Sequence, residues 1–175
     1  MRLWRLLIEQ SSHHWNDVYG KLGVLLTDDD IVGESHYRNL MPEVVARLEA
    51  AGLLTESDGA EVVFPPGFVN RDGEPLPLIV RTRAGAFTYA TSDLACVVDR
   101  VENVKADQLL YVVGHEQSQH LAMVFEVCRM AGWLTPPVEA VHVSYGLVLG
   151  PDRKRLRSRS GDAVRTFAAE VGYPL

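Results

Sequence analysis

Residues 108–149 constrain the fold more than any other part of this sequence. Gln108-Leu109-Leu110-Tyr111-Val112-Val113 is a continuous apolar run, too short for a helix of its own and rich in strand-forming side chains. A segment over about 116–131 follows, with Leu121, Val124, Phe125 and Cys128 at three- and four-residue steps and Gly132 as its stop. A second strand-type region then runs over 138–149. Strand, helix and strand at this spacing predict a right-handed β-α-β crossover, whose strands are parallel and buried on both faces. The fold class expected is therefore α/β. In open sheets of this kind ligands sit outside the carboxyl ends of the strands. That rule makes Gly114-His115-Glu116-Gln117 and the loop after Leu149 neighbouring candidates for a binding rim.

The rest of the chain supplies flanking elements. Trp4, Leu7, Ile8, Trp15, Val18, Tyr19 and Leu22 line one stripe of an amphipathic helix that ends at Gly23. A second helix is expected over about 40–51. Pro42 is tolerated in its first turn, Val44, Val45 and Leu48 face inward, and Gly52 ends it. Between 59 and 89, short β-type runs (Glu61-Val62-Val63-Phe64, Leu78-Ile79-Val80, Ala86-Phe87-Thr88-Tyr89) alternate with Gly and Pro, which predicts a β-hairpin insert. Thr91 or Ser92 is then placed to cap a helix reaching about 103, with Leu94, Val97, Val98 and Val101 on one face.

With 175 residues, 47% of them hydrophobic, and neither repeat nor linker, one domain over 1–175 is expected. Cys96 and Cys128 match no Cys-x-x-Cys spacing and fall in segments read as helical, which argues against a disulfide framework and a zinc site. No apolar run approaches the roughly 20 residues that cross a bilayer, and the opening has no long apolar core of the signal-peptide kind. A reducing, cytoplasmic setting is the expectation.

Charge is distributed unevenly. The stretch 150–162, Gly-Pro-Asp-Arg-Lys-Arg-Leu-Arg-Ser-Arg-Ser-Gly-Asp, holds five of the 17 basic residues, while 12 basic and 21 acidic side chains share the remainder. A surface for duplex nucleic acid or an anionic membrane usually shows basic balance over the whole domain, and a pI near 5.5 argues against both. A local patch suits a compact polyanion such as a nucleotide triphosphate, or is simply a solvated loop.

Two further groupings carry chemistry. Tyr89 and Asp93 lie four apart across a strand-to-helix junction, where a first-turn carboxylate and a phenol just before it suit a cationic ligand. Asp93 is equally a favourable first-turn acid, and Tyr89 a half-buried strand residue. In His115-Glu116-Gln117-Ser118-Gln119-His120 the histidines are five apart, about 140° around a helix, which breaks the shared face that zinc needs. No metal site is expected. Neither Gly-x-Gly-x-x-Gly nor a Walker phosphate loop occurs.

Taken in order, Gly-Glu-Ser-His-Tyr at 33, Asp-Gly-Ala at 58, Gly-Ala-Phe-Thr-Tyr-Ala-Thr-Ser-Asp-Leu-Ala at 85, Tyr-Val-Val-Gly-His-Glu-Gln-Ser-Gln-His at 111, Tyr-Gly-Leu-Val-Leu-Gly at 145 and Ser-Arg-Ser-Gly-Asp at 158 resemble the later half of the catalytic domain of arginyl-tRNA synthetases. The match covers nearly the whole chain. The resemblance implies a partial Rossmann-type parallel sheet with flanking helices and the β-hairpin insert, within a class I aminoacyl-tRNA synthetase. Such an enzyme activates arginine with ATP, used as substrate with Mg2+, and transfers it to tRNA in protein biosynthesis. The loop 153–162 resembles the family's mobile cationic signature loop, which makes Arg157 and Arg159 the implied catalytic cations and Ser158 and Ser160 ATP-binding. By the same resemblance Tyr89, Asp93 and Gln117 line the arginine side-chain pocket, and His120, Gly146, Leu147 and Val148 lie toward ATP.

The departures from the family pattern are equally definite. His-x-Gly-His, which holds ATP phosphates in the family, is found nowhere in the 175 residues, nor are a domain for the tRNA elbow and an anticodon-binding domain. The chain alone is therefore expected to lack ligase activity and to meet tRNA only when completed by other segments. The rival expectation is a stand-alone non-catalytic paralogue that binds arginine, a nucleotide or a protein partner. A sheet cut in this way is expected to expose an unpaired strand or an apolar patch, leading to a homo-oligomer or to pairing with a complementing synthetase fragment.

Overall fold

The structure is a computed structural model and describes residues 2–147 together with Leu149 and Arg153. It separates into two compact units, Met1–Arg38 and Asn39–Leu175. In the first, helix α1 spans Arg2–Leu22. It stops where the sequence places its glycine: Gly23 has φ +67, and the Val24 N–H returns to the Tyr19 carbonyl at 3.0 Å. Of the anticipated stripe, Trp15, Val18 and Tyr19 are half-buried, Leu7, Ile8 and Leu22 are exposed, and the side chain of Trp4 lies outside the described residues. Two short 3-10 turns follow, Asp28–Asp30 and Glu34–Asn39.

The second unit holds the core. Helix α2 (Met41–Ala50) starts with proline in its first turn and buries Val44, Val45 and Leu48. A three-stranded antiparallel sheet follows, β1 (Thr55–Ser57), β2 (Ala60–Val63) and β3 (Leu78–Arg81), in sequential order. Strands β1 and β2 are joined by Asp58-Gly59, both at positive φ (52 and 77), the two-residue turn whose twist matches that of the flanking strands. The sheet thus begins at Thr55, four residues before the insert start expected at 59, because β1 is polar and carries no apolar alternation.

Helix α3 spans Tyr89–Glu102 and is the most buried element, with Leu94, Ala95, Val97 and Val98 in the core. Strand β4 (Gln108–Gly114), the 3-10 turn His115–Gln117, helix α4 (Ser118–Met130) and strand β5 (Glu139–Tyr145) complete the described structure. β4 and β5 pair in parallel without a register break, from Gln108↔Glu139 to Gly114↔Tyr145. The strand–helix–strand unit read from the sequence is present, and α4 packs on α3 and on β5. Among the described residues no helix is long and apolar enough to cross a membrane.

One expectation is corrected. The parallel strands are not buried on both faces: Leu109 is buried, with Tyr111 and Val113 beside it half-buried, whereas Leu110 is 54% and Val112 62% exposed. Val141, Val143 and Tyr145 of β5 are exposed as well. The pairs Leu110↔Val141, Val112↔Val143 and Gly114↔Tyr145 put these side chains together on one apolar face.

Candidate functional site

The site is organised by the start of α3. Its N-cap is Thr88, not Thr91 or Ser92, and Tyr89 is the first helical residue rather than the last of a strand. The N–H groups of Thr91 and Ser92 both reach the Thr88 carbonyl. Two hydroxyls tie this turn to β3: Thr88 Oγ1 donates to the Ile79 carbonyl at 2.6 Å, and Thr91 Oγ1 donates to the Val80 carbonyl. Tyr89 and Asp93, four apart on one helix, therefore share a face instead of straddling a junction.

The first residues of α4 come up against that face. Asp93 Oδ2 and His120 Nε2 are 2.6 Å apart. The His120 ring lies 4.7 Å from the Tyr89 ring, centroid to centroid, with 51° between their planes. A cleft of about 340 Å³ opens beside them, walled by Leu76, Leu78, Ile79 and Met123 and by Tyr89 and His120. The result is an apolar trough whose wall carries an imidazole and a phenol, with the Asp93 carboxylate bonded to that imidazole and not itself part of the wall.

Each anticipated residue can now be located. Tyr89, Asp93 and His120 are brought together. Gln117 is exposed on the 3-10 turn before α4, and among the described residues no hydrogen bond joins it to Tyr89 or Asp93. Gly146 and Leu147 follow directly on the carboxyl end of β5, with Leu147 half exposed. Because Gly114 pairs with Tyr145, they leave the sheet beside the Gly114-His115-Glu116-Gln117 turn, as the strand-end rule requires. Val148 and the basic-loop residues Arg157, Ser158, Arg159 and Ser160 lie outside the described residues. The sequence gives no hint of the Asp93–His120 bond, which spans 27 positions, nor of the trough. The threonines three apart at 88 and 91 are the one local signal for the helix start.

Residues 1–169 match the family described as class I tRNA synthetases (R), catalytic domain, and the chain belongs to it. Among individual relatives it is similar to the arginine–tRNA ligase of Thermobifida fusca, 51% identical over 96% of this chain and 29% of that protein. The arginine–tRNA ligase of Nostoc sp. is 47% identical over 94% of this chain and 28% of its own length. Arginyl-tRNA synthetase from Plasmodium falciparum has the same fold, with a TM-score of 0.75 at 23% identity, covering 97% of this chain and 30% of that one. The chain thus spans less than a third of the length of the relatives it matches.

Proposed function

We propose that this chain carries the arginine-recognising, ATP-facing part of an arginine–tRNA ligase catalytic domain, with Asp93 as acceptor for the substrate guanidinium. The observation that carries the reading is the placement of the Asp93 carboxylate. It is only 34% exposed, engaged on one oxygen by His120, and set on the same helical face as Tyr89, which together with His120 lines an apolar trough. A guanidinium presents a planar fork of donors that a carboxylate accepts in pairs. The trough suits the aliphatic part of such a ligand, and Gln117 is near enough in sequence to close the pocket from the 3-10 turn. ATP would meet Gly146, Leu147 and Val148 at the β5 end, and Arg157, Ser158, Arg159 and Ser160 would approach its phosphates. Negative charge grows on the departing pyrophosphate, so cations brought there act mainly on the transition state. Among the described residues no three His, Cys, Asp or Glu side chains cluster as metal ligands. Mg2+ fits this chain as the companion of the triphosphate, which is how that ion is commonly presented.

Calorimetric titration of the chain and of Asp93→Ala with arginine and lysine tests the reading. Arginine is expected to bind more tightly than lysine, and the substitution to abolish the difference. Equal binding of the two amino acids, or no effect of Asp93→Ala, removes Asp93 from this role. A second reading, a non-catalytic binder of arginine, nucleotide or a protein partner, is favoured by the exposed apolar face of β4 and β5. Exchange of pyrophosphate into ATP, measured after adding a segment that bears His-x-Gly-His, separates the two, since only the ligase reading expects arginine-dependent exchange there. Without His-x-Gly-His, the chain by itself is expected to give no arginine-dependent exchange above a no-protein control, and activity to require a segment bearing that signature, with tRNA as the final acceptor.

A further inference from the structure

The bond between Asp93 and His120 has a defined direction. An ionised carboxylate has no hydrogen to give, so the proton sits on Nε2 and the imidazole donates to Oδ2. The ring is itself largely buried, 14% exposed, and lies against Tyr89. Among the described residues no other hydrogen bond reaches the Asp93 carboxylate, so Oδ2 keeps one acceptor site beyond the one His120 fills and Oδ1 keeps both, enough for a two-pronged donor. The terminal torsion of an aspartate is broad and nearly two-fold, and alone it leaves the carboxylate plane undefined. A donor fixed in place on one oxygen defines it.

That restriction matters to one class of ligand more than another. Two parallel N–H bonds from a guanidinium need a carboxylate plane aligned with their own, whereas an ammonium is a point charge that binds from any direction. We propose that His120 is a positioning residue which, braced on Tyr89, locks the plane of the Asp93 carboxylate and thereby gives the site its preference for a guanidinium over an ammonium. The inference rests on the reading of Asp93 as the arginine acceptor and adds the residue that makes the acceptor selective. It also moves His120 from the ATP side, where the resemblance put it, to the amino-acid side of the site.

Two substitutions in the full 175-residue chain isolate the hydrogen bond from the packing. His120→Phe keeps an aromatic ring against Tyr89 and removes the donor, and His120→Gln keeps an N–H at about the reach of Nε2. Titration with arginine and with lysine is expected to show the arginine-over-lysine preference falling about tenfold in His120→Phe, the size usual for a charge-assisted hydrogen bond, and recovering in His120→Gln. A merely structural role would weaken both ligands alike, and an unchanged ratio in His120→Phe overturns the proposal. If the unsubstituted chain binds neither amino acid, the arginine reading falls and the selectivity claim with it. Long-range 1H–15N spectra of the imidazole report on the positioning bond without any ligand. The Nε2–H tautomer is expected to dominate in the native chain and to give way to a mixture in Asp93→Ala, and a tautomer balance indifferent to Asp93→Ala would refute the bond itself.

Discussion

Arg47 on α2 makes contacts of two physical kinds. Its guanidinium meets Glu102 of α3 through two hydrogen bonds, at 3.0 and 2.5 Å, and stacks 5.0 Å above the Trp133 ring. The hydrogen bond to Arg47 holds the Glu102 carboxyl below its ordinary value of 4.5. A depressed folded-state value means that this stabilisation is fully present above the unfolded carboxylate range and is lost as pH falls through the lowered value. Both side chains are partly exposed, so screening keeps the effect at about 1 kcal/mol or less. Glu102→Gln should therefore cost a fraction of that at neutral pH, with the gap to the native chain closing as the pH falls below the ordinary carboxylate range; urea denaturation at neutral and acid pH reads it, and a gap that widens in acid would reverse the sign. Cys128 behaves differently. Burial pushes its thiol well above the ordinary range, leaving almost no thiolate in the folded state. Native protein should leave this thiol unreacted with a disulfide reagent until denaturant is added, and rapid labelling of Cys128 under native conditions would contradict its place in the core.

At the scale of elements, the junction between β3 and α3 sets the site. The Val80 carbonyl accepts from the Thr88 N–H at 3.3 Å and from the Thr91 hydroxyl, so Thr91→Val removes one of two bonds in a fully buried place. A loss of about 1 kcal/mol in stability is expected. Because Tyr89 and Asp93 lie on the same turn and the next, arginine affinity should weaken with it while the helix content by circular dichroism stays constant. Unaltered affinity would show that the turn does not need this tether. This junction is also where local signals mislead. Ala86-Phe87-Thr88-Tyr89 is rich in strand-forming side chains, and Phe87 does bridge to Arg81, yet Thr88 turns the chain into a helix one residue later. β1 was hidden for the opposite reason: Thr55-Glu56-Ser57 is polar and mostly exposed, and only Asp58-Gly59 betrays it. The β4–α4–β5 unit was legible because its apolar periodicity is strong and its boundaries are marked by Gly114 and Gly132. Local spacing likewise joins Tyr89 to Asp93, but no period connects Asp93 to His120; their meeting is a product of α3 packing on α4.

At the scale of the whole molecule, the face formed by Leu110, Val112, Val141, Val143 and Tyr145 stands apart. Alternation along β4 and β5 would allow a polar outer face, and an antiparallel sheet with one face in water would have one. Here the exposed set is apolar in both strands, while the opposite set is apolar in β4 (Leu109, Tyr111, Val113) and mixed in β5 (Ala140, His142, Ser144), so the exposed face has the composition of one meant to be covered. Exposed side chains on this face gain about 25 cal/mol for each Å² of apolar surface removed from water, a driving force for association that grows with the patch. We expect the purified chain to self-associate at micromolar concentration through this face. Val112→Lys combined with Val143→Lys places charges at the centre of the patch on two paired, exposed positions. These positions contribute little to the core, so the double variant should melt within a few degrees of the native chain while sedimenting as a monomer. Sedimentation velocity over about two decades of concentration decides the matter, since association by mass action must shift with concentration. A single monomeric species for the native chain over that range would refute self-association. Association that persists unchanged in the double variant would place the contact on some other surface.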